Sequence, residues 1–219
     1  MEQLQNRSLT VSPMKKVHIK EVVRVHLDAF PGFFLSILGA QFLEVLYTEI
    51  LEDRSGIGFV CLDGNIALGF VAGTAAPAGL YRRLLLRRWW KFGLAAVGPV
   101  LRNPTLVPRL LNAFRRTRDA VATETCELMS MGVDTVAQGR GIGGKLMQSF
   151  LREAANRGCH SVVLTTDRID NDRTNQFYIR QGFQLSRLLT TAQGRVLNEY
   201  TITLDATRLG LDSGARENG

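Results

Sequence analysis

Apolar residues recur along this chain with two different periods, and the switches between them divide it into elements. Leu9–Val11 predicts a short strand closed by Ser12-Pro13. Val17–Phe30 carries apolar side chains at helical spacing, with Val22, Val25 and Ala29 near one face, until Pro31-Gly32 breaks it. Phe34–Glu52 predicts a second, more apolar helix through Leu35, Leu38, Phe42, Leu46 and Ile50. Ile57–Leu62 and Ile66–Thr74 read as strands around Asp63-Gly64-Asn65, a hairpin signal. Cys126–Val133 returns to strand, Ile142–Arg157 is an amphipathic helix ended by Gly158, and Ser161–Thr166 is strand. Asn171–Gln181 predicts a helix ended by Gly182, and Phe183–Leu189 with Val196–Leu204 a closing hairpin around Gln193-Gly194.

Between the third and fourth strands the composition changes. The chain has 219 residues and a net charge of +7, yet residues 76–120 hold ten Lys+Arg and one acid, Asp119. The basic character therefore belongs to this segment. Tyr81, Leu85, Trp89 and Phe92 suggest one apolar helical stripe, with Arg83, Arg87 and Lys91 opposite. Gly98-Pro99 and Asn103-Pro104 punctuate the segment. A second helix is expected from Pro104, capped by Asn103, with Leu106, Leu110 and Phe114. The expectation is a basic helical insertion, 76–120, within a single domain spanning 1–206, followed by a polar tail, 207–219. Three uses compete for the insertion beside plain solvation: acceptor recognition, peripheral membrane contact through 80–118, where Trp89 and Trp90 lie among arginines, and nucleic acid, the least favoured.

The three cysteines, Cys61, Cys126 and Cys159, form no CxxC and lie in or beside apolar runs. They read as small buried hydrophobes, with neither a disulfide framework nor a metal site expected. The N-terminus lacks the apolar core of a signal peptide, and no run of about 18 apolar residues occurs. A cytoplasmic protein, membrane-peripheral if the insertion docks, is the expectation.

Chemistry concentrates at Gln138–Gly144. Strand, glycine loop and helix in succession aim backbone N–H groups and a helix dipole at one point, where an anion binds. Glycines allow close approach, and Arg140 and Lys145 add charge. Gly139–Gly144 satisfies the GxGxxG dinucleotide fingerprint, and Asp167 follows near the spacing that fold requires, so an NAD(P)-binding protein stays open. Against it, Asp134–Gln138 separate strand from glycines, and the pattern contains a single crossover.

These residues resemble the GNAT N-acetyltransferase superfamily. Gln138-Gly139-Arg140-Gly141-Ile142-Gly143 matches its [QR]xxGx[GA] phosphate motif, and Asn171, Tyr178 and Gly182-Phe183 match its downstream series. The resemblance implies an α/β (α+β) fold with a mixed, mostly antiparallel sheet. It implies acyl-CoA, in the first place acetyl-CoA, as cosubstrate, with no metal. Pyrophosphate would lie on Gln138, Gly139, Arg140, Gly141, Ile142, Gly143 and Gly144, and pantetheine along Met131, Gly132 and Val133. Asn171 would hold the cofactor arm, Tyr178 would be the acid for the departing thiolate, and Glu127 the base for the amine. His18, His26 and His160 are expected on surfaces or helix faces, with His26 a lesser base candidate. The acceptor is an amine, an amino sugar or other small molecule among the options. The alternative from another class is a non-catalytic acyl-CoA-binding or membrane-docking module.

Overall fold

The computed structural model describes residues 9–104, 124–191 and 194–204. Strand β1 (Thr10–Pro13) leads through a 3-10 turn (Lys16–His18) into α1 (Ile19–Ala29), α2 (Phe34–Ile37) and α3 (Gly39–Glu52). The hairpin β2 (Gly56–Asp63) and β3 (Ile66–Thr74) follows, then α4 (Leu80–Arg102) and β4 (Thr125–Val133). A second 3-10 turn (Thr135–Ala137) precedes α5 (Ile142–Asn156), β5 (Ser161–Asp167), α6 (Asp172–Arg180), β6 (Gln184–Thr190) and β7 (Val196–Thr203).

The strands form one seven-stranded sheet in the order β1-β2-β3-β4-β5-β7-β6. Every neighbouring pair is antiparallel except β4 and β5, which α5 joins as a crossover. A sheet with one parallel pair is not a doubly wound dinucleotide fold, which removes the main alternative for the glycine loop. Alternation along the strands feeds two cores. On one face α1, α3 and α4 bury Val22, Val25, Phe42, Leu43 and Phe92 against Val60, Phe70 and Ala72. On the other, α5 buries Leu146, Met147, Phe150 and Ala154 against Cys61, Val71 and Val162. Each large side chain so buried contributes about 1.5–3 kcal/mol.

Four expectations change. The helix expected over Phe34–Glu52 is two helices, because Gly39 takes φ +84°, a left-handed conformation that interrupts the helical path. The stripe through Trp89 fails because Arg88 is non-helical (φ −145°, ψ 37°) and shifts the phase of α4. Leu80, Leu84, Phe92, Ala95 and Ala96 are buried, whereas Trp89 is 70% exposed. The side chains of Tyr81 and Leu85 lie outside the described ones. Nor does Gly98-Pro99 end the helix, which runs through Pro99 to Arg102. Arg83 and Arg87 do not form a free face: Arg83 Nε meets Asp53 Oδ2 at 3.3 Å and Arg87 Nη1 donates to the Glu52 carbonyl at 2.9 Å. With Arg88 beside Glu49 at 3.7 Å, they hold α4 against the acidic, carbonyl-rich C-terminus of α3. The second helix expected from Pro104, with Leu106, Leu110 and Phe114, lies outside the described residues, as do Gln193 and the tail.

The cysteine reading also changes. Cys126 and Cys159 are buried, but they are joined to each other, with Cα atoms 6.0 Å apart. Parallel pairing brings the start of β4 beside the start of β5, a proximity that a separation of 33 residues hides. Cys61 is free and buried.

One polar network crosses the first core. His26 on α1 is 3% exposed, and its Nδ1 lies 2.7 Å from Tyr47 Oη on α3. Tyr47 Oη donates to Ser130 Oγ on β4 at 3.1 Å. Among the described residues, His26 Nε2 has no hydrogen-bond partner. His26 is thus buried on the inner face of its helix, where it also lines the cleft beside β4. Burial pushes its pKa down to about 4. A group with a depressed folded pKa stabilises fully above its unfolded value near 6.5 and loses that contribution as pH falls toward 4. Urea unfolding at pH 7 and pH 5 is expected to differ by about 2 kcal/mol from this residue, and His26→Gln, which cannot titrate, to lack that difference.

Candidate functional site

The site originates where two neighbouring strands part. Strands β4 and β5 pair only at Thr125↔Ser161, Cys126↔Val162 and Glu127↔Val163. On its other side β4 pairs with β3 at Gly73↔Leu128 and then at Ala72↔Ser130, so Met129 is an extra residue. A bulge bends its strand and increases the local twist. It begins immediately after the last β4–β5 pair, and the two strands diverge from there. Leu128–Val133 of β4 and Thr165–Asp167 of β5 face each other across a cleft of about 840 Å³. Between them β4 presents a strand edge with no neighbouring strand, where an extended chain carrying amides can pair.

Met131, Gly132 and Val133 all line this cleft. Gly132 lies in a tight place: a Cβ there would lie 3.0 Å from Phe70, 3.2 Å from Ala29 and 3.3 Å from Phe30, so these side chains would have to give where α1 packs over β4. The turn beyond β4 is held by two groups that sequence reading did not find. Arg24 on α1 donates to Asp134 Oδ2 at 2.7 Å and to the Ala67 carbonyl at 2.7 Å. Asp134 in turn accepts from Val136 N at 3.1 Å, capping the 3-10 turn. The Arg24 hydrogen bond holds the Asp134 carboxyl below the usual carboxylate range. The spacer before the glycines is therefore a capped turn, and its Asx-type start was the available signal. Arg24, 110 residues away, offered none.

Gly139 and Gly141 take φ of +82° and +76°, and nothing lies within 4 Å of a Cβ built on either. Positive φ at alternate residues turns successive N–H groups to one side, and the open space above them lies at the N-terminus of α5. Gln138, Ile142, Gly143 and Gly144 complete the lining, and Gly143 packs on Phe177 of α6. Arg140 lies 3.8 Å from Asp63 in the β2–β3 turn. The arrangement fits the doubly charged pyrophosphate of a coenzyme A. Its narrow, amide-edged continuation along β4 fits a pantetheine arm.

Tyr178 on α6 lines the cleft from the opposite wall and is only 6% exposed, packed by Phe177, Phe183 and Tyr200. Burial pushes its hydroxyl up to about 12, so it remains a protonated donor through the neutral range. Asn171, at the start of α6, donates to Thr166 Oγ1 at 2.8 Å and to the Asp167 carbonyl at 3.1 Å, tying the end of β5 to α6. Glu127 is half-buried on β4 at the last paired position, while the cleft lining begins one residue later at Leu128. The structure thus brings together the loop, β4, Asn171 and Tyr178, and leaves Glu127 at the margin.

A second lobe of about 500 Å³ adjoins the cleft and shares Phe33, Asp167, Ile169, Asp170 and Arg195 with it. Arg195 from the β6–β7 hairpin binds both oxygens of Asp167, at 2.7 and 2.6 Å, and stacks 5.6 Å from the Phe33 ring. Asp167 is therefore occupied by arginine and does not stand as the acid of a nucleotide fingerprint. Among the described residues no cluster of His, Cys, Asp and Glu is suited to hold a metal.

Comparison with known proteins agrees with this geometry. A family profile described as the acetyltransferase (GNAT) family matches residues 20–183. No curated protein matches the sequence significantly. Solved structures share the fold at low identity. Ard1 from Thermoplasma volcanium has a TM-score of 0.59 at 14% identity, covering 90% of this chain and 98% of that one. An N-acetyltransferase from Staphylococcus aureus Mu50 gives 0.59 at 17%, covering 90% and 99%. An aminoglycoside 6'-N-acetyltransferase complexed with coenzyme A gives 0.59 at 12%, covering 90% and 97%. With the profile spanning most of the chain, and strand splay, glycine cradle and single crossover in one sheet, this protein belongs to the acetyltransferase (GNAT) family and is an acyltransferase.

Proposed function

We propose that the protein transfers an acetyl group from acetyl-CoA directly to the amine of a small acceptor, both substrates being held at once in the cleft. The observation that carries this reading is the splay between β4 and β5, with the glycine cradle at one end and the Asp167–Arg195–Phe33 lobe at the other. Donor and acceptor then approach from opposite ends, and proximity supplies much of the rate.

Backbone N–H groups of Gly139–Gly144 bind pyrophosphate. The free edge of Met131–Val133 aligns pantetheine and leaves an N–H near Val133 to stabilise the oxyanion. Tyr178 donates to the sulfur as the carbon–sulfur bond breaks. The amine loses its proton to solvent, with Glu127 acting through water at the cleft margin. The exposed carboxylate of Asp170, in the second lobe, favours an acceptor that carries a further cationic or hydroxyl-rich group, such as an amino sugar.

Free-thiol release measured over an amine panel tests the reading. Tyr178→Phe is expected to lower kcat about 10²–10³-fold with little change in KM for acetyl-CoA. Glu127→Gln is expected to lower it less. Because the tyrosine ionises only near 12, the wild-type rate should rise with the deprotonation of the amine and show no tyrosine-linked fall below about pH 11. Tight acetyl-CoA binding with no turnover on any amine would overturn the enzymatic assignment.

The cradle has its own signature. Gly141→Ala imposes an L-residue at φ +76° in the space proposed for phosphate. Its KM for acetyl-CoA is expected to rise about tenfold or more, while binding of an acetyl-pantetheine fragment, which lacks the pyrophosphate, changes little.

A further inference from the structure

We propose that the outer face of α4 docks the protein onto an anionic lipid bilayer. Trp90, Leu94, Val97 and Leu101 follow one another at spacings of four, three and four, a single helical stripe. They are 48%, 68%, 50% and 77% exposed. Leu86 and Trp89, on either side of the irregular Arg88, are exposed as well, at 70% each. The inner face of the same helix is already used, by Phe92, Ala95 and Ala96 against the α3 core. A soluble surface rarely gathers this much contiguous apolar area without a partner.

The charge around the face selects the partner. From Leu80 to Arg102 the helix contains no acidic residue. Its six cations divide into two sets. Arg83, Arg87 and Arg88 are engaged by Asp53, Glu52 and Glu49 and anchor the helix to α3. Arg82, Lys91 and Arg102 make no ion pair among the described residues, and Lys91 lies 5.6 Å from the Trp90 ring. Three such cations along a helix that carries both tryptophans of the protein, one of them on the apolar stripe, make an interfacial pattern. Indoles sit at headgroup depth, aliphatic side chains below, and cations on lipid phosphates. The stripe is too charged to cross a bilayer, and no described helix is long and apolar enough to do so. The geometry is that of a helix lying in the interface plane.

Because Trp89 and Trp90 are the only tryptophans, tryptophan emission, excited selectively over that of the four tyrosines, reports on this helix. Phosphatidylcholine/phosphatidylglycerol vesicles should shift the emission of the full-length protein to the blue and co-sediment it, with affinity falling as salt is raised. Each free cation is expected to contribute about fivefold, so the triple change Arg82→Gln, Lys91→Gln, Arg102→Gln should weaken binding on the order of 10²-fold. Leu94→Glu with Leu101→Glu should abolish it. Thiol release by these variants should be unchanged, since none of the altered residues lines the cleft; this also shows that they fold. No response to anionic vesicles at low salt would overturn the proposal. So would an emission already blue without lipid, or a blue shift that follows protein concentration alone, which would assign the face to the chain's own contacts or to a second copy.

Discussion

The bulge at Met129 is the constraint on which the rest of the site depends. Without an extra residue in β4, its pairing with β5 would continue beyond Glu127↔Val163, as the pairing of β5 with β7 does along its whole length. The strand edge that a cosubstrate can pair with exists because a strand has been denied its neighbour. Unpaired backbone within a sheet is costly unless something satisfies it, so the fold accepts a local defect that ligand amides are suited to repair. Everything around the defect limits its extent. Below it, the covalently joined Cys126 and Cys159 and the α5 core close the two strands. Above it, the Asn171–Thr166 and Asn175–Asn198 hydrogen bonds stiffen the end of β5 from the α6 side.

Holding β4 in place from the other side falls to α1, through two polar contacts of different kinds. Arg24 reaches the exposed end of the strand and grips Asp134, an ionic bond at a half-exposed site. Through Tyr47, His26 reaches Ser130 in the interior, one residue from the bulge. An interior hydrogen-bond chain of this kind is orientational: it specifies which way the bent strand faces, at the cost of a buried histidine that must remain neutral. The same helix packs Ala29 and Phe30 onto Gly132, so α1 sets both the position and the depth of the cleft along β4.

How much of this could be read from the sequence follows from what carries each part. The donor end is made of backbone, and backbone geometry writes itself into sequence as glycine: Gly139 and Gly141 are visible because no other residue takes their φ without strain. Strand and helix boundaries were legible where periodicity was clean, as in α5 and β3. They were not legible in α4, where one residue, Arg88, leaves helical geometry and rotates every later side chain relative to the expected stripe. The cysteine pairing, the His26 burial and the Arg24–Asp134 contact were invisible for a shared reason. Each joins segments distant in sequence, and neither period nor composition encodes which strand becomes whose neighbour.

The acceptor end differs in kind from the donor end. Phe33 comes from the turn after α1, Asp167 and Asp170 from the end of β5, and Arg195 from the last hairpin. These are side chains on three loops, held by one arginine that binds a carboxylate and stacks on an aromatic ring at once. Loops tolerate change where strands do not, so a fold can retain its cradle while the opposite lobe is rebuilt for another amine. Solved structures at 12–17% identity share the sheet with this chain. On the proposed reading, an amine that enters the Asp167–Arg195 lobe presents its nitrogen in the gap between β4 and β5, which Tyr178 also lines. That reading makes acceptor choice a matter of loop shape and charge, and not of catalytic machinery.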